Sequence, residues 1–225
     1  MSGANDRVVL LDIDNTLLDN DRFAEDLGER LARDFGDSGR DRYWTLYEKL
    51  REDTGYADYL GALQRYRAEC PDIATLAALS NFVLEYPFAE LLYPRALEVI
   101  EDLGRWTLPA ILSDGDIVFQ PHKIKRSGLW DAVKGRVMLT LHKEREIAGL
   151  RARFPASHYV MVDDKPRLLD AMKQAMGEQL TTVLVRQGHY ARDAAEVAVH
   201  ALPDVTIEHI GDLIGLDPDA LAPVT

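Results

Sequence analysis

The sequence predicts an α/β fold: a doubly wound, Rossmann-like parallel sheet with an α-helical bundle inserted after its first strand. Three observations carry this. Five short apolar runs recur along the chain, and four of them lack polar alternation, as strands buried on both faces do. Amphipathic helical patterns separate the runs in the second half, which gives the helical, right-handed crossovers of a parallel sheet. Between the first and second runs lies a long stretch with helical patterns and no convincing strand.

The first strand covers residues 8–12 (VVLLD) and ends on an aspartate. Residues 18–87 follow as the inserted helical domain, leaving residues 1–17 and 88–225 as the α/β core. The insert carries apolar residues three and four apart: Phe23, Leu27, Leu31 and Phe35; Tyr43, Leu46, Tyr47 and Leu50; Tyr59, Leu63 and Tyr66; Ile73, Leu76, Leu79 and Val83. Each set makes one apolar stripe, and a small bundle buries all of them together. In the core, Pro94 opens a helix with Ala96, Leu97, Ile100 and Leu103 on one side. Strands follow at 109–113 (PAILS), 136–140 (RVMLT), 159–163 (YVMVD) and 182–185 (TVLV). Residues 163–166 (DDKP) lead into a helix carrying Leu168, Leu169, Ala171 and Met172, and residues 205–213 add a strand-like segment and a terminal helical turn.

Composition narrows the function. With 26 basic against 38 acidic residues the formal charge is −12, a poor electrostatic match for nucleic acid or an anionic membrane. The first apolar run, residues 8–11, is too short for a signal-peptide core or a membrane span, so a cytoplasmic location is the expectation. The single cysteine, Cys70, forms no internal disulfide, and no Cys/His grouping has zinc spacing. Residues 113–153 hold nine Lys and Arg against five Asp and Glu. Solvated helix faces are the ordinary reading of that excess; a cationic field around an anionic substrate is the sharper one.

The chemistry gathers at strand ends, where ligands bind in open parallel sheets. Asp12, Asp14 and Thr16 alternate where the first strand runs out. Taken alone, this is no more than an Asp-rich turn. The second strand, however, stops at Ser113-Asp114-Gly115-Asp116, the fourth at Asp163-Asp164, and Lys143 opens a helix at the edge of the third. Carboxylates, a hydroxyl and a lysine thus converge on one sheet edge. Phosphoryl transfer needs such a set, because the transferred group carries dispersed negative charge that cations and fixed donors must stabilise. Magnesium takes hard oxygen ligands and keeps several waters, so a few carboxylates hold it. One carboxylate can attack phosphorus to give an acyl phosphate, while a second protonates the leaving oxygen and later activates water.

These motifs, in this order and at this spacing, make the sequence resemble the haloacid dehalogenase superfamily along essentially its whole length. The similarity is to its phosphatase branch with a helical cap inserted after the first core strand (C1 type). The resemblance implies a magnesium-dependent phosphohydrolase that acts on a small phosphorylated metabolite through an aspartyl phosphate. It implies Asp12 as nucleophile and metal ligand. Asp14 is implied as general acid and base, touching the metal through its backbone carbonyl. Thr16 steadies the flap turn and, with Ser113 and Asp114, belongs to the phosphate-binding set. Lys143 neutralises nucleophile and phosphate, and Asp163 and Asp164 are the acidic metal pair, Asp164 more often in direct contact. With Asp12 held ionised by the metal, Asp14 is expected to keep its proton more readily.

Two positions depart from the family pattern. Asp114 stands where Asn or Gly is common, and is expected to point away from the phosphate or to accept from donors in the cap. Glu144 follows Lys143 in place of the commoner proline. Lys123 and Lys125 compete for the lysine role, but ten and twelve residues after Ser113 they fall inside the intervening helix, so loss of Lys123 is expected to be mild. The histidines read as surface or loop residues. At least half of the group Tyr43, Trp44, Tyr47, Tyr56, Tyr59 and Tyr66 reads as bundle core, the rest as pocket wall. Arg40, Arg42, Arg65 and Arg67 are candidate substrate anchors. A phosphomutase would share every motif. A haloacid dehalogenase would use the same aspartate against carbon, with no need of Asp14, and a binding module would have lost turnover altogether.

Overall fold

In the computed structural model, which describes residues 7–70 and 72–222, the apolar runs form one six-stranded, all-parallel sheet. The strands are β1 (Arg7–Leu11), β2 (Leu108–Asp114), β3 (Val137–Thr140), β4 (His158–Asp163), β5 (Leu180–Val185) and β6 (Val205–Ile207), in the order β3-β2-β1-β4-β5-β6. Side chains alternate across a strand, so each run feeds two cores. Val9, Leu11, Val160, Val162, Val183 and Val185 lie in one, and Val8, Leu10, Tyr159, Met161, Leu180 and Leu184 in the other. That is why the central runs are unbroken by polar residues. The edge strand β3 is only half-buried at its centre.

The inserted segment folds as α1 (Asn20–Thr54), α2 (Tyr59–Tyr66) and α3 (Ile73–Glu85). The two apolar stripes read at 23–35 and 43–50 are two arms of α1, divided at Gly36, whose φ of 74° and ψ of 172° are not helical. Each helix starts on an aspartate that accepts from a backbone amide: Asp19 from Arg22 N, Asp58 from Gly61 N and Asp72 from Thr75 N. Such a cap contributes about 0.5–2 kcal/mol. The apolar pattern was too generous at two positions, because Ile73 is 57% and Leu97 43% exposed.

The core completes itself with α4 (Ala96–Leu103), α5 (Phe119–Arg126), α6 (Leu129–Ala132), α7 (Ile147–Arg153), α8 (Pro166–Met176), α9 (Gly188–Arg192) and α10 (Ala194–Ala198). Lys143 begins a single 3-10 turn, Lys143–Arg145, ahead of α7 rather than a full helix. The expected tail appears as β6 and a 3-10 turn at Ile210–Leu213. Aromatic rings join insert to core: Phe23 of α1 stacks on Phe119 of α5 at 5.6 Å, and Tyr59 of α2 meets the same ring edge-on at 5.3 Å. Among the described residues no helix is long and apolar enough to cross a membrane.

Candidate active site

Strand order runs outward from β1 through β2 to β3 on one side and from β4 to β6 on the other. The β1–β4 boundary is therefore the switch point, where a crevice opens at the strand ends. Asp12 extends β1, its amide bonded to Val162 O at 3.0 Å, and Asp163 ends β4. The chain then folds into a tight turn: the Leu17 and Leu18 amides both donate to Ile13 O, and Asn15 takes a φ of 61°. Thr16 is buried in this turn; its carbonyl accepts from Gln187 Nε2 at 3.2 Å, and its hydroxyl has no hydrogen-bond partner. Gly188, at φ +68°, lies so close that a Cβ there would come within 2.3 Å of Asn15 Cβ, so glycine is required.

Asp12, Asp163 and Asp164 are buried, and each places a carboxylate oxygen within 4.8 Å of the others. Lys143 Nζ, also buried, donates to Asp12 Oδ1 and, at 2.9 Å, to Asp163 Oδ2. Asp163 Oδ1 accepts from the Lys165 amide at 3.0 Å. Asp12 Oδ2 and both oxygens of Asp164 have no partner. Buried carboxylate oxygens left unpaired are costly. Hard oxygens gathered in this way fit a cation such as magnesium.

The electrostatics say the same. Burial, and then Asp163, push Asp12 up to about 6, with Lys143 and Lys165 pulling against them. Burial, with Asp163 and Asp12 adding to it, raises Asp164 well above the usual carboxylate range despite Lys165. Burial alone would lower Lys143, but Asp12 and Asp163 outweigh it, so the ammonium form is reinforced. Lys165 is reinforced likewise, against its own burial, by Asp12 and Asp164.

Asp14 lies beside this cluster and behaves differently. Its Oδ1 accepts from Lys123 Nζ and its Oδ2 from Gln120 Nε2 at 3.2 Å. Burial would raise its pKa, but Lys123, Lys165 and Gln120 together hold it below the ordinary value. In the metal-free protein Asp14 is therefore the more acidic of the two, Asp12 being raised by its burial. For Asp14 the cause is Lys123, which is inside the intervening helix as read, yet fully buried and aimed at the site. Asp116 fixes that helix: its Oδ1 accepts from the Val118 and Phe119 amides at 2.8 and 2.7 Å. Gln120 and Lys123, three residues apart, then share the face toward Asp14.

Ser113 is buried at the end of β2 and accepts from the same Gln120 Nε2 at 2.8 Å. Asp114 Oδ1 accepts from Thr140 Oγ1 at 2.6 Å, its register partner on β3. Its acceptor contact is therefore with β3 and not with the cap. Asp114 also lines the cleft beside Asp14, and it reinforces the charge of Lys143.

A cleft of about 370 Å³ opens between the inserted helices and the core above Asp14. Trp44, Tyr47, Tyr56 and Tyr59 wall one side, and Lys165, Arg167 and Tyr190 the other. Tyr43, Tyr47, Tyr59 and Tyr66 are also buried among one another, so the aromatic group is both core and wall. Arg40 pairs with Asp37 and Asp41, Arg42 with Glu69 and Arg65 with Asp53, while Arg67 lines a separate groove. None of the four lines the cleft. Arg51, which sequence reasoning passed over, does, and its Nη2 donates to Tyr190 Oη at 2.7 Å.

Over 95% of its length this chain is similar to a haloacid dehalogenase-like hydrolase from Burkholderia xenovorans LB400, with 54% identity, 99% coverage of that protein and a TM-score of 0.90. An L-2-haloacid dehalogenase from Xanthobacter autotrophicus shares the fold at 18% identity and a TM-score of 0.61, covering 93% of this chain and 99% of that one. A HAD-hydrolase from Bacillus subtilis bound to magnesium does so at 18% identity and a TM-score of 0.60, covering 92% of this chain and 96% of that one. No family model and no curated protein matches the sequence.

Proposed function

The chain belongs to the haloacid dehalogenase-like hydrolases, and on that premise we propose that it hydrolyses a small phosphomonoester through an aspartyl phosphate on Asp12. The observation that carries this reading is the buried acidic trio with three partnerless oxygens beside a second, separately held carboxylate, Asp14. Asp12, Asp163 and Asp164 would hold magnesium, with the Asp14 carbonyl as a further oxygen. When bound, the ion supplies the positive charge that lets a carboxylate meet a phosphate dianion.

In this reading an Asp12 carboxylate oxygen bonds to phosphorus as the bond to the ester oxygen breaks. The leaving oxygen takes a proton from Asp14. Asp14 is held ionised in the metal-free protein and takes up that proton from solvent as the phosphate dianion arrives, because like charges disfavour its carboxylate form. Water then attacks phosphorus, returning its proton to Asp14 and freeing Asp12. Ser113 donates to a phosphate oxygen, and Lys143 compensates the charge of nucleophile and phosphate. Residues 18–87 act as a cap that closes over the cleft, excludes water while the leaving group departs, and selects the substrate. A small phosphorylated metabolite in the cytoplasm is the partner this chemistry calls for.

The competing reading is a haloacid dehalogenase, supported by fold neighbours of that name. Attack on carbon by Asp12 needs neither an acid at Asp14 nor an acidic trio. Assaying the purified protein with magnesium against phosphorylated metabolites and 2-haloacids separates the two: phosphate release supports the proposal, and chloride release without phosphate release ends it. Turnover is expected to stop in excess chelator and to return best with magnesium, because four carboxylates face only three lysines in the site (Asp12, Asp14, Asp163 and Asp164 against Lys123, Lys143 and Lys165). Full activity in chelator would exclude the magnesium assignment.

A further inference from the structure

Lys123 is a fully buried lysine whose ammonium meets Asp14 Oδ1, lies 3.4 Å from Asn20 Oδ1 and stands 5.1 Å from the centre of the Phe119 ring. Burying an ammonium with its carboxylate is costly, and replacing both members of such a pair by apolar side chains of similar volume is often neutral or stabilising. Fold stability alone therefore gives no reason for a charged pair here. Its geometry does. Lys123 takes one oxygen of Asp14 and Gln120 takes the other, so the plane of the carboxylate is fixed from both sides. Gln120 also bonds Ser113, which braces the carboxylate against the phosphate-binding hydroxyl. Without this grip, rotation about the Asp14 side-chain bonds would be free to turn the carboxylate away from the leaving oxygen. Asn20, the first residue of α1, donates to Tyr59 Oη at 3.1 Å, which ties the same network to the cleft wall.

We propose that Lys123 is a positioning residue for the general acid, holding the Asp14 carboxylate toward the leaving-group oxygen. This rests on the phosphatase reading above. Lys123 acts through Asp14, so its contribution scales with how much the leaving group needs a proton. An alkoxide needs one; nitrophenolate scarcely does.

The test is single-turnover phosphoenzyme formation by the magnesium-loaded protein, with propyl phosphate and 4-nitrophenyl phosphate as probes. Lys123→Met should slow the propyl ester by about 10²-fold and the nitrophenyl ester by less than about tenfold, and Lys123→Arg should recover part of the loss. In an Asp14→Asn background, adding Lys123→Met should change neither rate, since the residue through which it acts is gone. That double variant leaves no unpaired charge from the couple, so the comparison holds even if Lys123→Met alone folds poorly. Magnesium affinity by calorimetry should be unchanged. Equal slowing of both esters, independent defects that multiply in the double variant, or a tenfold loss of magnesium affinity would each overturn the assignment. A wild-type protein that releases phosphate from neither ester overturns the phosphatase reading itself, and this inference with it.

Discussion

Asp12→Asn is expected to lower turnover by roughly four orders of magnitude or more and, at the same time, to stabilise the metal-free protein. The rate falls because an amide cannot form the acyl phosphate. Stability rises because ionised Asp12 is disfavoured in the fold: burial, then Asp163, lifts its pKa from 3.8 to about 6. Between those values the native state binds more protons than the unfolded chain, so this group's contribution to stability falls as pH rises through the window and stays low above it. Asparagine has no such loss. The variant's advantage should therefore grow from pH 4 to pH 6 and level off, at no more than about 3 kcal/mol. Lys143 keeps its bond to Asp163 in the variant, so no cation is stranded. Thermal unfolding in chelator across that range checks the stability claim. Magnesium should then stabilise wild type more than the variant, since one carboxylate ligand is missing. A variant less stable than wild type at pH 7 in chelator would overturn the stability claim, and a phosphoaspartate trapped at another residue would remove Asp12 from the nucleophile role.

How much of this was readable beforehand follows from which forces act locally. The core strands could be read because a parallel strand packed on both faces admits no polar alternation, and β1, β4 and β5 are buried throughout or nearly so. The acidic residues could be read because they stand where those runs stop, and topology carries strand ends to one edge. Lys143 reaches the cluster by the same logic. Contacts that depend on rotation or register could not be read. Lys123 and Gln120 face Asp14 only because Asp116 sets where α5 begins. Asp114 meets Thr140 through the pairing of β2 with β3, which nothing in either segment announces. Arg51 faces the cleft from the arm of α1 beyond Gly36. Lys123 matters chemically, because in the metal-free protein it helps hold Asp14 below the ordinary carboxylate value.

Lys143→Ala is expected to cost roughly 10³-fold in turnover, and its signature separates it from Lys123. Lys143 bonds Asp12 and Asp163 with almost no exposure to water, so its removal leaves two buried carboxylates short of a cation. Breaking such a pair from one side destabilises a fold by about 3–5 kcal/mol, and the deficit should appear in the metal-free protein at pH 7. Without the ammonium, Asp12 rises further above its already raised value, so the native state takes up protons at higher pH and the deficit shrinks as pH falls toward 6, levelling off below it. Magnesium should recover part of the stability, since it supplies positive charge to the same oxygens, but not the rate, because the charge of the incoming phosphate stays less compensated. The loss should also be equal for propyl and 4-nitrophenyl phosphate. Lys143 bears on the nucleophile and the phosphoryl group, which the two esters share, whereas Lys123 bears on the leaving oxygen, which they do not. Phosphoenzyme formation measured for both esters with both variants decides the matter: a leaving-group-dependent loss in Lys143→Ala would mean that the two lysines have been assigned the wrong way round.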